Sequence, residues 1–212
     1  KGPCVIGRDN HIFQFASIGD DPQDKKYAGE PTRLVIGDRN TIREYCTINR
    51  GTVQDAGVTR VGNDNWIMAY VHIAHDCVIG DQTIFANNST LAGHVHIGDW
   101  AILGGFTAVH QYCHIGAHTL TGIFTSVTKD IPAYVLASGQ PAVPRGINAE
   151  GLKRREFSSN QISNLREAYR ALYRQGLKLG EAVEILEERA RTQEEVVALL
   201  DSVRSSSRGL IR

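Results

Sequence analysis

The sequence predicts a mainly β fold, a left-handed parallel β-helix of hexapeptide repeats with a C-terminal α-helical domain. A large apolar residue occupies eleven of the twelve positions at six-residue intervals from Val61 to Val127, with Thr121 as the exception, and a small or β-branched residue follows four positions later. The twelve residues of this column, called the large column below, are Val61, Ile67, Ile73, Ile79, Phe85, Leu91, Ile97, Leu103, Val109, Ile115, Thr121 and Val127. This period fits neither an α-helix nor an alternating strand, and repetition over many copies is typical of a solenoid. We expect three flat faces and about eighteen residues per coil.

The β-helical domain is expected to span residues 1–142, with two interruptions. Residues 19–34 carry two prolines and many charges, which predicts a loop that leaves the solenoid, and residues 50–59 form a shorter polar excursion. The repeat is already present at Cys4–Gly7, so we expect further coils before Lys1. Glycines follow many of the large residues, and we expect positive φ there. They are Gly62, Gly80, Gly98, Gly104, Gly116 and Gly122.

Residues 143–212 are predicted to form the helical domain. Ser158 or Ser159 would cap a first helix that ends near Gly176. A second helix would run through 182–186, and a third would begin at Thr192 with a capping-box spacing. These helices would cover one end of the β-helix.

Composition limits the classes of function. The 23 basic and 23 acidic residues balance, which argues against nucleic acid as a partner. No stretch is long and apolar enough for a membrane span, and the start does not resemble a signal peptide. Three of the four cysteines, Cys46, Cys77 and Cys113, fall in the small column, which indicates core filler in a reducing cytoplasm rather than disulfides.

Seven of the eight histidines lie between 72 and 118, inside the solenoid. The repeat places His75 and His94 in successive coils at about 4.8 Å spacing, so both imidazoles could contact one ligand. Gln111 would lie about two spacings from His75. These groups suit either acid–base catalysis or metal binding. A direct contact between His75 and Asp76 is left open, since neighbours on a strand point to opposite faces.

The same residues carry a resemblance that covers nearly the whole chain. Segments 14–19, 26–33, 72–77, 91–95, 107–111, 150–155 and 208–212 resemble the UDP-N-acetylglucosamine O-acyltransferases of lipid A biosynthesis. The resemblance implies that an R-3-hydroxyacyl chain passes from acyl carrier protein to the glucosamine 3-hydroxyl of UDP-N-acetylglucosamine. It also implies a cytoplasmic homotrimer and no cofactor or metal.

The resemblance assigns roles to individual residues. His75 would be the general base, and the backbone N–H of Gly93 would stabilise the oxyanion. Ile123 would end the acyl groove as a hydrocarbon ruler, which predicts a chain of about ten carbons from an axial distance of about 13 Å. Residues implied to bind substrate are Gln23, Asp24 and Lys26 from a neighbouring subunit, with His72, His94, His110, Gln111, Asn148, Arg154 and Arg155.

Two other functions fit the same fold. A zinc lyase like the γ-class carbonic anhydrases would use His75 and His94 as ligands, but it leaves the long loop and the helical tail unexplained. A non-catalytic scaffold would bind partners through its flat faces, but it predicts no convergence of histidines.

Overall fold

A computed structural model describes residues 1–212 and shows a β-helix with helices at its C-terminal end. The strands are β1 (Cys4–Ile6), β2 (His11–Ile12), β3 (Ser17–Asp20), β4 (Arg33–Ile36), β5 (Thr41–Ile42), β6 (Thr47–Asn49), β7 (Val58–Val61), β8 (Trp66–Ile67), β9 (His72–Ile73), β10 (Val78–Ile79), β11 (Ile84–Phe85), β12 (Thr90–Leu91), β13 (His96–Ile97), β14 (Ile102–Leu103), β15 (Ala108–Val109), β16 (His114–Ile115), β17 (Leu120–Thr121), β18 (Ser126–Val127), β19 (Val135–Ser138) and β20 (Val143–Ile147).

These strands form three sheets, one on each face of the solenoid. Sheet A contains β1, β4, β7, β10, β13 and β16; sheet B contains β2, β5, β8, β11, β14, β17, β19 and β20; sheet C contains β3, β6, β9, β12, β15 and β18. In the uninterrupted repeat, neighbouring parallel strands are eighteen residues apart, as Ile73 beside Leu91 illustrates. The predicted left-handed parallel β-helix is therefore confirmed.

Both repeating columns face the interior, as predicted. Ile73 and Leu91 of the large column are 0% exposed, and so are Cys77 and Val95 of the small column. Two residues per repeat therefore fill the core from every face, and burial of apolar surface holds successive coils together.

The residues with positive φ at the corners between sheets are not the glycines that the sequence predicted. From Asp64 to Phe124 every sixth residue has a positive φ, and each is a non-glycine residue. The backbone N–H at this position donates to the preceding coil, for example from Tyr112 to the Gly93 carbonyl at 3.1 Å. Such inter-coil hydrogen bonds help offset the cost of the left-handed conformation.

The repeated glycines serve close packing instead, so the prediction of positive φ for them was wrong. At Gly80 a Cβ would lie 2.2 Å from Oδ1 of Asp99 in the next coil. That oxygen accepts a hydrogen bond from the Asp81 N–H at 2.8 Å. Glycine is required there because a carboxylate from the next coil occupies the position of a side chain.

The two predicted excursions are present. The long loop, residues 21–32, connects β3 to β4, and the short loop, residues 50–57, connects β6 to β7. Arg50 and Thr52 of the short loop are 7% and 1% exposed, so its first residues are buried against the solenoid. Both loops leave at sheet C and return at sheet A.

The boundary at residue 142 needs correction. Residues 143–147 form β20, which pairs antiparallel with β19 and extends sheet B. The hexapeptide period has ended there, so the sequence pattern gave no signal for this strand. Helices begin only at Ala149.

Four helices follow: α1 (Ala149–Arg154), α2 (Ser159–Tyr173), α3 (Leu179–Ala190) and α4 (Glu194–Arg204). Ser158 caps α2 through a reciprocal capping box with Gln161, as predicted. The cap predicted at Thr192 is wrong, because Gln193 is the N-cap of α4 and makes no side-chain cap bond. The helices share a core with Ala133 and Tyr134 of the last coil. None of them is both long and apolar enough to cross a bilayer.

Candidate active site

One corner between sheet C and sheet A carries the predicted histidines. A cavity of about 410 Å³ opens there, and residues from successive coils and from the long loop surround it. Its lining residues are Gln23, Asp24, Lys25, Lys26, His75, His94, Gln111 and Tyr112. The structure brings the long loop and the histidines together within one chain, which differs from the expectation that the loop acts from a neighbouring subunit.

His75 is hydrogen-bonded directly to Asp76. Its Nδ1 lies 2.9 Å from Oδ2 of Asp76, whose side chain is 1% exposed. The pair forms because β9 ends at Ile73 and Asp76 has a φ of 57°, so the alternation of side chains along a strand does not apply. The possibility left open by the sequence is therefore resolved in favour of a contact.

Thr52 of the short loop holds Asp76. Its N–H donates to the two carboxylate oxygens at 2.9 and 3.0 Å, and its hydroxyl donates at 2.6 Å. Burial raises the pKa of Asp76, but the hydrogen bonds from His75 and Thr52 outweigh that effect and lower it below 3.8. Asp76 is thus an anion at neutral pH, and it fixes the proton of His75 on Nδ1. Nε2 is left free to accept a proton.

Gly93 lies against the imidazole of His75. A Cβ at this position would be 2.4 Å from Cε1 and 2.6 Å from Nε2 of His75. No side chain fits there while His75 keeps its orientation. The Gly93 N–H donates to no acceptor within the chain, so it is free to bind a ligand oxygen.

His94 forms a second pair with an aspartate. Its Nδ1 lies 2.9 Å from Oδ2 of Asp55 in the short loop, and its ring stacks on Tyr112 with centroids 4.4 Å apart. The rings of His75 and His94 meet edge to face at 5.0 Å. This closeness agrees with the prediction that both imidazoles can contact one ligand.

His75, Asp76 and His94 also form the one group in the chain that could hold a metal ion, with ligand atoms within 4.8 Å of one another. Nδ1 of His75 and the oxygens of Asp76 already bond to each other and to Thr52. A metal ion would have to displace these hydrogen bonds. The geometry therefore fits an acid–base dyad better than a ligand set.

Comparison with known proteins identifies the family. A family model described as UDP-N-acetylglucosamine O-acyltransferase, domain 2, matches residues 130–211, and one for bacterial transferase hexapeptide repeats matches residues 59–93. The acyl-[acyl-carrier-protein]–UDP-N-acetylglucosamine O-acyltransferase of Thiobacillus denitrificans is 63% identical over 203 residues, which cover 96% of this chain and 79% of the relative. The chain belongs to this family. It is an O-acyltransferase.

Solved structures of acyltransferases agree. The UDP-N-acetylglucosamine acyltransferase of Francisella novicida has a TM-score of 0.98 and 46% identity over 99% of this chain and 77% of its own. The enzyme of Moraxella catarrhalis has a TM-score of 0.95 and 46% identity over 100% of this chain and 92% of its own.

Two further histidines predicted to bind substrate in this acyltransferase lie beside the cavity rather than in its wall. His72 is half-buried, with Nδ1 2.6 Å from Oγ1 of Thr47. Burial, and then the nearby His75, lower the pKa of His72, so it is neutral at pH 7. His110 is exposed, and its Nδ1 lies 3.4 Å from Nη2 of Arg208.

The residues predicted to bind nucleotide are not in the cavity wall and lie at the two ends of α1. Asn148 is 5% exposed and caps α1; its amide donates to the His118 carbonyl at 3.0 Å and accepts from the Gly151 N–H at 3.1 Å. Arg155 covers the ring of Trp100 and lies 3.2 Å from Nδ1 of His118. Arg154 is exposed.

Ile123, the predicted ruler, is 66% exposed in the corner between β17 and β18. His75 lies at the opposite edge of sheet C, because its corner follows β9. A path between the two is therefore diagonal. The estimate of about 13 Å counts only the axial component, so about ten carbons is a lower bound for a chain that follows this face.

The sequence reasoning missed the residues that hold the histidines. Thr52 and Asp55 lie in an excursion that was recognised only as polar, and their partners are 24 and 39 residues away. Tyr112 precedes a small-column residue, as His94 does, at an interval of eighteen residues. Comparing identical corner positions would have found Tyr112, while no pattern in the sequence signals the two loop residues.

Proposed function

We propose that this chain catalyses the first step of lipid A biosynthesis by direct general-base catalysis with His75. An R-3-hydroxyacyl chain passes from the thioester of acyl carrier protein to the 3-hydroxyl of UDP-N-acetylglucosamine. The substrates follow from the names of relatives that are up to 63% identical. The observation that carries the mechanism is the pair of His75 and the buried anion Asp76 beside an open cavity.

In the reaction, Nε2 of His75 takes the proton of the acceptor hydroxyl as the oxygen attacks the thioester carbonyl. Asp76 keeps the imidazole in the required tautomer and stabilises the imidazolium that forms. The C–S bond of the tetrahedral intermediate then breaks, and His75 returns the proton to the leaving thiolate. Proton and charge balance without a cofactor or metal.

The backbone N–H of Gly93 is proposed as the donor to the oxyanion. It has no acceptor within the chain, and it lies beside the base that activates the nucleophile. A preorganised donor at the position where charge develops lowers the barrier by about 3–4 kcal/mol in comparable acyl transfers. The absence of a side chain lets the thioester carbonyl approach the backbone.

Binding of the acceptor is assigned to the long loop and the neighbouring polar groups of the cavity. Gln23, Asp24 and Lys26 share the cavity with His75 and Gln111. Neither Lys25 nor Lys26 has a carboxylate partner within 4 Å, so both charges are free for an anionic ligand. His72, His94 and His110 are proposed to position the substrates, and Asn148, Arg154 and Arg155 are proposed to bind the nucleotide.

The test is a thiol-release assay with hydroxyacyl carrier protein, with and without UDP-N-acetylglucosamine. Thiol release that depends on the sugar nucleotide, in protein treated with a chelator, supports the proposal. Release without acceptor would indicate hydrolysis instead. Absence of thiol release, together with a stoichiometric zinc ion in protein purified without added metal, would favour the zinc lyase.

A cytoplasmic homotrimer is proposed for the assembly. Phe15, Tyr45 and Tyr70 stack along one corner with centroids 5.2 and 4.9 Å apart, and all three are largely exposed. Exposed apolar stripes on a rigid solenoid favour burial by closed symmetry. The four cysteines are unpaired, which suits a reducing compartment. Light scattering on purified protein would give the mass of the assembly, and a monomer would contradict the proposal.

A further inference from the structure

We propose that the short loop is the positioning element of the active site, in which Thr52 orients the catalytic dyad and Arg50 fixes the acceptor-binding long loop. The inference rests on the proposed function, because it assigns separate kinetic roles to neighbouring residues. Neither residue lines the cavity, so both would act through the groups that do.

Thr52 supplies the hydrogen bonds that set Asp76. Its backbone and hydroxyl donate to the carboxylate at 2.6–3.0 Å, and Oγ1 of Thr59, in the strand β7 that follows the short loop, accepts from the Asp76 N–H at 2.9 Å. Asp76 is 2% exposed, so no solvent can replace these partners. Gly51 is required for this approach, since a Cβ there would lie 2.7 Å from Oδ1 of Asp76.

Arg50 of the short loop contacts the long loop instead of the catalytic dyad. Its guanidinium donates to the Gly19 carbonyl at 3.0 Å, to the Tyr27 hydroxyl at 2.9 Å and to the Asp21 carboxylate. Tyr27 in turn donates to the Glu30 carbonyl at 3.0 Å, which ties both ends of the long loop to one side chain. The same guanidinium also donates to the Gly2 carbonyl at 2.7 Å, which makes four acceptors, whereas an ammonium group has only three N–H donors.

Arg50 supplies most of the side-chain hydrogen bonds that reach the long loop from the solenoid, and one other comes from Nδ2 of Asn49 to the Asp21 carbonyl at 2.8 Å. The contacts within the loop are local, such as the Asp24 carboxylate accepting from the Lys26 N–H at 2.9 Å. Arg50 is 7% exposed while Gln23 and Asp24 line the open cavity. The position of the acceptor-binding residues therefore depends on a buried residue from the short loop.

The experiment compares the steady-state kinetics of variants at Thr52 and at Arg50. Thr52→Val removes the hydroxyl and keeps the shape, and we expect kcat to fall about tenfold with little change in the KM for UDP-N-acetylglucosamine. Thr52→Ser restores the hydroxyl and should restore kcat. Arg50→Lys should raise that KM about tenfold with a smaller change in kcat. Arg60→Lys, an exposed change on β7, is the matched control.

Hydrogen–deuterium exchange gives a readout that does not depend on activity. Arg50→Lys should accelerate exchange in residues 21–32, whereas Thr52→Val and Arg60→Lys should not. The proposal fails if both active-site variants change kcat and KM alike, or if exchange of the long loop is unaffected by Arg50→Lys. If wild-type protein releases no thiol in response to the acceptor, the proposed function fails, and the exchange experiment still decides whether Arg50 fixes the loop.

Discussion

Two histidine–aspartate pairs lie side by side at one corner of this β-helix, with the same separation and different surroundings. His75 and Asp76 are 2.9 Å apart, as are His94 and Asp55. The Asp76 side chain is 1% exposed and accepts three hydrogen bonds from Thr52, whereas the Asp55 side chain is 47% exposed and bonds to His94 alone.

This difference shows that a distance does not define the role of a pair. Exposed ion pairs contribute about 0–1 kcal/mol because water screens them. A buried carboxylate with several donors holds its partner in one tautomer and one orientation, and losing a charged hydrogen bond there costs about 1.5–3 kcal/mol. We therefore propose catalysis for the pair whose carboxylate is buried and substrate positioning for the pair whose carboxylate is exposed.

The largest expected effect separates the two histidines. His75→Ala should lower kcat by ~10²–10⁴-fold, since it removes the general base. His94→Ala should lower it less and act mainly on KM. Steady-state kinetics with both substrates measures this, and circular dichroism checks the fold. Near-normal turnover of the His75 variant would transfer the role of base to His94.

Amide substitutions test the aspartates in the same way. Asp76→Asn should lower kcat by about 10²–10³-fold, because an amide no longer enforces the tautomer of His75. Asp55→Asn should change kcat only a few-fold, since the exposed carboxylate contributes little. The two variants are matched in chemistry and differ in burial. Equal losses would show that burial does not distinguish the pairs.

A third variant displaces the base without removing it. Gly93→Ala places a methyl group 2.4 Å from His75, and a displacement of about 1 Å costs about 10²-fold in rate. Gly105→Ala is the control, because Gly105 occupies the equivalent position of another corner and a Cβ there finds its nearest atom at 3.4 Å. Full activity of Gly93→Ala would contradict the close contact between Gly93 and His75.

His118 extends the comparison to a histidine that is packed against a guanidinium instead of a carboxylate. Burial, and then Arg155, lower its pKa from 6.5 to about 4. The unfolded chain therefore binds a proton at a higher pH, and stability falls as the pH drops from 6.5 towards 4. Thermal unfolding of His118→Phe should depend less on pH over this range. His11→Phe, an exposed change, should keep the wild-type dependence.

The smallest effect on rate concerns the far edge of sheet C. Ile123→Gly should shift the preference towards longer acyl chains and change kcat little, because it opens space about three coil spacings from His75. Competition between hydroxyacyl donors of different length measures the shift. An unchanged preference would mean that another residue sets the length.

Periodicity predicted the fold well because burial repeats with the sequence. Both columns, the two excursions and the cap at Ser158 were read correctly, since each depends on residues near one another in the chain. Strand β20 was missed because the period had ended before it. The predicted role of the glycines was wrong because the carboxylate that requires Gly80 comes from Asp99, one coil away.

The site was predictable where it follows the repeat. His75 and His94 were brought together by register alone, and their rings are 5.0 Å apart. The contact of His75 with Asp76 was left open because it depends on a backbone angle at the corner. Thr52 and Asp55 could not be found, since their partners are set by the path of a loop that has no periodicity.

The left-handed corner residues have a consequence for how this fold acquires new chemistry. Asp76, His94 and Tyr112 occupy the same corner position in three successive coils, with φ of 57°, 63° and 64°. The backbone there accepts an acid, an imidazole or a phenol without changing its course. Side chains at a corner can therefore be replaced one at a time, in evolution or in protein engineering. A set of catalytic side chains can likewise be shifted by one coil, while the β-helix keeps its shape.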